Sequence, residues 1–197
     1  MTLPSEQSTQ RGGASASPLW VSDTTPYPWP YDGRIEAGSL ALLVLSARGD
    51  GPAISTGGVE QDAIEALRVA TLAFGARTVP ITTTDPSGRV APRTPTISSR
   101  SAVDAVGWDG FYGTDLDARL RHWGVTHLLL AGGPLETAVH STLRSANDRG
   151  YECLLVADAT TPIEPDLLPH TLSMVEMSGG IFGAIGYTAA VIAALAA

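Results

Sequence analysis

The chain has 197 residues, of which 44% are hydrophobic, so it can bury one substantial core but is too short for two large ones. Its formal net charge of −8 argues against nucleic-acid binding, which needs clustered Lys and Arg to replace counterions on the phosphates. All 12 basic residues are arginine, which excludes any mechanism that needs a lysine. The single cysteine, Cys153, excludes an internal disulfide bond and fits a reducing compartment, so we expect a cytoplasmic protein.

The N-terminal stretch is rich in Ser, Thr, Gln and Gly and lacks the basic-then-apolar pattern of a signal peptide. We expect residues 1–18 to be a disordered tail and residues 19–197 to form a single domain. Residues 25–33 alternate three prolines with aromatic rings, which predicts an extended arm lying across a surface. This arm either packs as an ordinary loop on its own domain or fills a groove on a neighbouring subunit.

The elements that follow alternate between two kinds of pattern. Short apolar or β-branched runs predict strands over Leu40–Leu45, Thr78–Thr83, Thr126–Leu130 and Tyr151–Ala157. Helical spacing predicts helices over Gln61–Phe74, Asp115–Trp123 and Leu135–Asn147, closed by Gly75, Gly124 and Gly150. Residues 84–100 read as a polar loop. The alternation predicts an α/β fold with a three-layer, doubly wound parallel β-sheet flanked by helices.

Residues 179–197 are almost wholly apolar and are long enough to suggest a membrane span. They are rich in Ala and Gly rather than Leu, lack flanking basic residues and begin at a Gly-Gly break. We therefore expect a buried helix on the sheet or at a subunit interface, and no contact with a membrane.

The stretch Leu128–Thr142 is the candidate functional turn, because an apolar strand ends at Gly132-Gly133-Pro134 and a helical pattern follows. Strand-turn-helix junctions present functional groups in α/β proteins, since backbone N–H groups at the helix start face the ligand. Acyl transfer would need a nucleophile in the first turn of that helix, and this chain has Ala138 there.

Five motifs occur in order along the chain. They are PYPWPYDG at 26–33, WDGFYGTDLD at 108–117, Ala131-Gly132 ahead of Val139 and Thr142, Gly150-Tyr151 leading to Asp158-Ala159, and GGIFGA at 179–184. Together they resemble the isochorismatase-like family of cysteine hydrolases, especially the branch near ureidoacrylate and biuret amidohydrolases. The resemblance runs from about Pro26 to the C-terminus and implies that family's three-layer fold.

The resemblance also implies amide hydrolysis by an Asp, a Lys and a Cys nucleophile, and this chain differs at each of the three positions. The Asp position is Ser46, and an unperturbed hydroxyl cannot serve as the base. The Lys position, six residues before Phe111, is Ala105, and the Cys position is Ala138. Cys153 does not replace the nucleophile, because a thiol in the middle of an apolar strand is normally inert.

Members of the family resemble one another in a cis peptide shortly before the nucleophile, followed by an N–H that joins the oxyanion hole. That bond corresponds to Gly133–Pro134. Proline lowers the cost of the cis form from about 3 kcal/mol to about 1 kcal/mol or less, but it removes the N–H. Loss of one oxyanion donor typically lowers the rate by about 10²–10³. We therefore predict a cis bond, a lost oxyanion donor and no covalent amidase mechanism.

Other groups could carry a different chemistry. Asp50 and Glu136 flank the expected pocket and could protonate a vinyl ether, or they could be solvated charges, with Glu136 favoured by the helix dipole. Ser141 and His140 could form a Ser/His pair, although adjacent residues diverge on a helix.

A residual pocket beside Trp108 and Phe111, with Asp50, Glu136 and Thr137 around it, could bind a small molecule such as a urea or a carboxamide. The histidines show no paired spacing, so we expect no metal site and no cofactor; they are His122, His127, His140 and His170.

The joint replacement of the three triad positions and of the oxyanion donor favours a catalytically inactive homologue, a pseudoenzyme. It would act as a structural or regulatory subunit, assembled with itself or with an active amidohydrolase paralogue through residues 25–33 and 179–197. The alternative is a hydrolase of altered, non-cysteine chemistry on a small amide, ureido or vinyl-ether substrate.

Overall fold

The computed structural model describes residues 19–48, 58–84 and 102–197, and the structural statements that follow concern these residues. The predictions for the tail at 1–18, for Asp50 and for all but the first residue of the polar loop at 84–100 lie outside them.

Six strands and five α-helices follow one another along these residues. The strands are β1 (Leu40–Arg48), β2 (Arg77–Thr84), β3 (Val103–Asp104), β4 (His127–Gly132), β5 (Glu152–Thr160) and β6 (Ala184–Gly186). The α-helices are α1 (Val59–Phe74), α2 (Leu116–His122), α3 (His140–Asp148), α4 (Leu168–Glu176) and α5 (Thr188–Leu195). Short 3₁₀ turns at Ala37–Ser39 and Pro165–Leu167 precede β1 and α4.

The strands form one sheet in the order β3-β2-β1-β4-β5-β6, and every neighbouring pair is parallel. The chain therefore winds outward from the centre in both directions, which confirms the predicted doubly wound α/β fold. In such a sheet the strands end at a common edge, and the crevice at the centre is where ligands bind.

Apolar side chains cover both faces of the sheet, as expected for parallel strands. One face carries α2, α3 and α4, whose contacts with the sheet include Leu120, Leu143 and Val175. The other carries α1 and α5 through residues such as Leu67 and Val191. The three layers are thus helices, sheet and helices.

The arm at residues 25–33 packs on its own domain. Trp29 is 0% exposed and belongs to the α1/α5 side of the core, together with Tyr27. Thr25 exchanges two backbone hydrogen bonds with Ile185 of β6, with N···O distances of 3.1 and 2.7 Å. At Tyr27 and Trp29 the arm is therefore an ordinary loop packed on its own domain, whereas Tyr31 is 63% exposed.

The C-terminal segment is not one helix, which corrects the prediction for residues 179–197. It contains a turn, β6 and then α5. Gly183 has φ of +84°, and a Cβ there would lie 2.5 Å from the carbonyl oxygen of Cys153, so the backbone passes β5 too closely for a side chain. No described helix combines the length and the apolar character needed to cross a bilayer.

The hydrophobic pattern does not predict three features of the fold. The strand β3 has two residues and α4 carries polar residues among its apolar ones, so neither gives a clear period. The predicted helix over Leu135–Asn147 begins instead with a π-helical turn over Leu135–Val139 and continues as α3. Such turns are rare and occur frequently at functional sites.

Candidate functional site

The sheet brings the predicted site positions to one edge. Ser46 is in register with Thr82, Thr82 is in register with Asp104, and Leu45 is in register with Gly132. Because neighbouring strands lie about 4.8 Å apart, the backbones at Ser46 and Asp104 are about 10 Å apart across β2. Ser46 and Ala105 thus lie at or just after the carboxyl ends of β1 and β3, and Ala138 lies in the turn that follows the carboxyl end of β4.

Ser46 uses its polar groups within the sheet. Its hydroxyl donates to the carbonyl oxygen of Ile81 at 3.3 Å, and its own carbonyl oxygen accepts from Thr83 Oγ1 at 3.1 Å. Both bonds tie β1 to β2. A hydroxyl that donates to a backbone carbonyl stabilises the pairing of the two strands and does not act as a base.

Ala105 is buried and is held by a backbone hydrogen bond from its N–H to the carbonyl oxygen of Thr82 at 2.8 Å. The residue before it, Asp104, forms an ion pair with Arg48 at 2.6 Å. The charged side chains of β1 and β3 are therefore the cation Arg48 and the carboxylate Asp104, which neutralise each other. Sequence reasoning missed this pair, because the two residues are 56 positions apart.

The turn after β4 is fixed by backbone contacts on two sides. The N–H of Gly133 donates to the carbonyl oxygen of Leu45 at 3.0 Å, and the N–H of Leu135 donates to that of Thr161 at 2.8 Å. Thr161 in turn donates its N–H to the carbonyl oxygen of Gly132 at 3.0 Å. A Cβ on Gly132, whose φ is +100°, would overlap the Leu45 carbonyl oxygen, so only glycine fits there.

The peptide bond between Gly133 and Pro134 is cis. Pro134 has no N–H, so the position after this bond offers no donor to a developing oxyanion. The carbonyl oxygen of Pro134 accepts from the N–H of Val139 at 3.1 Å, which closes the π-helical turn. Ala138 lies inside this turn with 0% exposure, and its methyl group packs in the core on the α3 side of the sheet.

The same turn and the first residue of α3 carry three buried polar atoms without a hydrogen-bond partner in the described part of the chain. They are Glu136 Oε1, Thr137 Oγ1 and His140 Nε2. The other oxygen of Glu136, Oε2, accepts from the N–H of Ile163 at 2.8 Å. Buried polar groups are normally paired, so this turn has unused hydrogen-bonding capacity.

His140 is surrounded by apolar and cationic groups. Its ring meets that of Phe182 edge-on at 6.4 Å, and the Arg144 guanidinium lies 4.1 Å from the centre of the same Phe182 ring. Burial, and to a smaller extent the positive charge of Arg144, lower the pKa of His140 below its ordinary value. His140 is therefore neutral at pH 7, so its ring offers one donor and one acceptor nitrogen.

Phe111, beside which we predict a residual pocket, belongs to the core. It is 5% exposed, its ring stacks with that of Tyr151 at 6.0 Å, and the Arg149 guanidinium lies 4.7 Å from its centre. Trp108 is half-buried and packs against the same core. The loop around them is held by Thr142 Oγ1, which accepts from the N–H of Gly110 at 2.9 Å. Thr142 belongs to the motifs that carry the family resemblance, but those motifs do not predict this contact.

Cys153 is 0% exposed and is the second residue of β5. Burial, and then the charge of Glu152, raise the pKa of its thiol. Since the thiolate is the nucleophilic form, this cysteine is a poor nucleophile in the folded protein. Across residues 19–48, 58–84 and 102–197, no three His, Cys, Asp or Glu side chains are gathered as metal ligands would be.

Comparison with known proteins places this architecture among hydrolases. The model of the isochorismatase domain matches residues 77–191, which include Ala105 and Ala138. The chain belongs to the isochorismatase family. This match extends over more than half of the chain, from β2 into α5.

Curated relatives in the family match over shorter stretches. The isochorismatase family protein YwoC of Bacillus subtilis is 34% identical over 68 residues, which are 34% of this chain and 36% of that protein. The ureidoacrylate amidohydrolase RutB of Methylobacterium radiotolerans is 43% identical over 61 residues, 31% of this chain and 24% of RutB. The chain thus matches less than half of the length of these curated relatives.

Solved structures agree over most of the chain. A cysteine hydrolase from Pseudomonas syringae has a TM-score of 0.68 at 20% identity, covering 92% of this chain and 98% of that one. An isochorismatase family protein from Burkholderia thailandensis has a TM-score of 0.63 at 25% identity, covering 81% and 97%. The nicotinamidase of Bacillus subtilis has a TM-score of 0.61 at 20% identity, covering 75% and 99%. These likenesses confirm the isochorismatase-like hydrolase fold.

Proposed function

We propose that this chain is a catalytically inactive member of the isochorismatase family that serves as a structural or regulatory subunit. The observation that carries the proposal is the content of the candidate site. The positions that the family resemblance assigns to the base, the lysine and the nucleophile hold Ser46, Ala105 and Ala138, and Pro134 removes one oxyanion donor. Covalent amide hydrolysis needs a nucleophile and a base to activate it, and this site supplies neither.

The way these residues are held supports the proposal. The Ser46 hydroxyl is engaged with Ile81, and the Ala138 methyl group is enclosed in the core. Meanwhile the turn between Gly132 and Leu135 keeps its contacts with β1 and with Thr161. A chain that keeps the fold of the site but fills it with inert side chains is suited to assembly rather than turnover.

Exposed apolar side chains beside the arm support a role in assembly. Tyr31 and Ile181 are 63% and 71% exposed, and Tyr187 is 49% exposed. A Cβ on Gly180 would lie 2.7 Å from the Tyr31 hydroxyl, so the arm and the turn before β6 are adjacent. Exposed aromatic and aliphatic groups of this kind are typical of protein interfaces. We propose that residues 25–33 and 179–197 bind a second copy or an active amidohydrolase paralogue.

The mass of the native complex tests this assembly. The chain is expressed alone and together with an intact homologue that retains Asp, Lys and Cys, and each sample is measured by native mass spectrometry. We expect a defined oligomer that Tyr31→Asp and Ile181→Asp dissociate. A matched change on α1, Gln61→Asp, should leave it intact. A monomer in both samples at micromolar concentration would contradict the proposed assembly.

The three unpartnered atoms in the π-helical turn and at the start of α3 favour a second candidate, a hydrolase of altered chemistry. Glu136 Oε1, Thr137 Oγ1 and His140 Nε2 could contact a small amide, ureido or vinyl-ether substrate. Ureidoacrylate is the natural first probe, because RutB is a ureidoacrylate amidohydrolase. If this candidate is right, Glu136→Gln or Asp50→Ala abolishes turnover by the purified chain, while Asp166→Asn does not.

The same atoms could serve a sensor that binds without turnover. A thermal-shift screen with ureas and carboxamides tests this, since a ligand at 100 times its Kd stabilises the folded state by about 2.7 kcal/mol. Uniformly flat responses would exclude the sensor for those ligands.

A further inference from the structure

A groove separates α1 from α5 on the outer side of the domain, with a volume of about 730 Å³. This volume lies within the range of about 300–1,000 Å³ that is typical of small-molecule sites. Its walls are formed chiefly by apolar side chains, among them Val69, Ala73, Phe74, Ile192 and Leu195. None of the lining residues belongs to the turn between β4 and α3, so the groove is separate from the candidate site.

Apolar side chains in this groove face solvent. Val69, which lines the groove, is 59% exposed. The whole of α5 carries no charged residue, and Ala196, which follows α5 and lines the groove, is exposed. A helix that is apolar all round is normally covered, so this face has area that a bound group would remove from water.

One end of the groove is acidic. Asp62 and Glu65, one helical turn apart on α1, contribute to its lining. Glu65 is paired with Arg68, with its Oε2 2.9 Å from Nε. The structure gives Asp62 no partner within residues 19–48, 58–84 and 102–197, so its carboxylate can accept a cation.

We propose that this groove binds a small amphiphilic cation, with an alkyl or aryl body along α1 and α5 and an ammonium or guanidinium group at Asp62. The apolar walls match the body and the carboxylate matches the charge. The net charge of −8 raises the local concentration of cations around the protein. A second copy of the chain, whose proposed contacts are around Tyr31 and Ile181, fits less well in this groove, because a symmetric pair would bring a second Asp62 and Glu65 against a face that already carries them.

The first test compares n-octylammonium with n-octanol on the full-length protein, below their aggregation concentrations. Two-dimensional NMR follows the methyl groups of Val69, Ala73 and Ile192 during each titration. We expect octylammonium to shift these signals at lower concentration than octanol, and added salt to reduce the difference. Equal affinity for the two probes would overturn the charge recognition.

Substitutions locate the site. Asp62→Asn should weaken octylammonium binding by about two- to five-fold, the range expected for an exposed ion pair. Asp166→Asn, an equally conservative change on an exposed turn before α4, should have no effect. If both variants bind as the natural chain does, the cation does not contact Asp62 and the proposal fails.

Filling the groove provides the second test. Ala73→Trp places a large side chain between the two helices and should abolish the shifts, and Ala66→Leu should weaken binding if the first variant does not fold. Sedimentation of the natural chain tests whether a second copy of the chain occupies the groove instead. A dimer that Ala73→Trp dissociates would show that a second copy covers the groove, and the proposal would be wrong. These readouts do not depend on whether the chain is an enzyme.

Discussion

The hydroxyl of Ser46 donates a hydrogen bond to the carbonyl oxygen of Ile81, with an O···O distance of 3.3 Å. At the end of β1, where a catalytic carboxylate would be expected in the family, the side chain thus serves the sheet. This contact predicts that a change at Ser46 has little effect on function and lowers the stability of the pairing between β1 and β2.

Ser46→Ala should lower stability modestly and leave any ligand response unchanged. The loss of a half-buried hydrogen bond typically costs about 0.5–1.5 kcal/mol. Urea unfolding measures the free energy, and Thr82→Ala serves as a control because no side-chain bond of Thr82 is seen across residues 19–48, 58–84 and 102–197. A loss of function in Ser46→Ala without a loss of stability would mean that the hydroxyl has a chemical role.

Glu152 should anchor the arm. Its Oε1 accepts from the N–H of Tyr31 at 2.7 Å, and its Oε2 lies 3.3 Å from His127 Nε2. Glu152→Ala leaves both partners without this acceptor, so we expect the free energy of unfolding to fall by about 1–3 kcal/mol. Fluorescence of the buried Trp29, followed during urea unfolding, reports the loosening of the arm.

Glu164→Ala is the matched control, since Glu164 is exposed before α4. If Glu152→Ala and Glu164→Ala have the same stability, the carboxylate does not hold the arm, which would then depend on the buried Tyr27 and Trp29 and on the backbone bonds between Thr25 and Ile185.

Cys153 should make stability fall at alkaline pH. Burial raises the pKa of its thiol in the folded state, while the unfolded value is about 8.5. The unfolded chain therefore releases a proton above pH 8.5 that the folded chain keeps, and the free energy of unfolding decreases there by up to about 1.4 kcal/mol per pH unit. Cys153→Ala should remove this part of the slope. An unchanged slope would show that other groups cause it.

His140 should titrate below its ordinary pKa of about 6.5. Burial disfavours the imidazolium and Arg144 adds a smaller repulsion, so Arg144→Gln should raise the pKa of His140 without restoring the ordinary value. Between the folded and unfolded pKa values the unfolded chain binds the extra proton, so stability falls as pH falls. NMR of the His140 ring protons measures this, with Arg149→Gln as a control distant from the ring.

The fold was predictable because its evidence is repeated along the chain. The run Leu40–Leu45 lies within β1, the run Thr126–Leu130 begins one residue before β4 and overlaps its start, and Gly75 closes α1 in the left-handed conformation as expected. A central parallel strand must be apolar on both faces, so its pattern survives any change in the site. The C-terminal prediction was wrong because a three-residue strand and a glycine turn interrupt an otherwise helical composition.

The candidate site was only partly predictable. The motifs of the family resemblance indicate that Ser46, Ala105 and Ala138 occupy the catalytic positions, but the contacts of these residues depend on strand register. Sequence could not place Phe111 in the core, because an aromatic residue next to a loop motif has the same spacing whether it faces a pocket or Tyr151. The pairing of Arg48 with Asp104 likewise follows from the order of three strands and not from local pattern.

Turnover by the natural chain tests the central claim most directly. The purified protein, in excess over ureidoacrylate and over panels of small amides and vinyl ethers, is followed for product by mass spectrometry over many hours. We predict no product above a sample of the unfolded protein. Product formation that Glu136→Gln abolishes, and that Asp166→Asn leaves intact, would contradict the account and identify the chain as an enzyme.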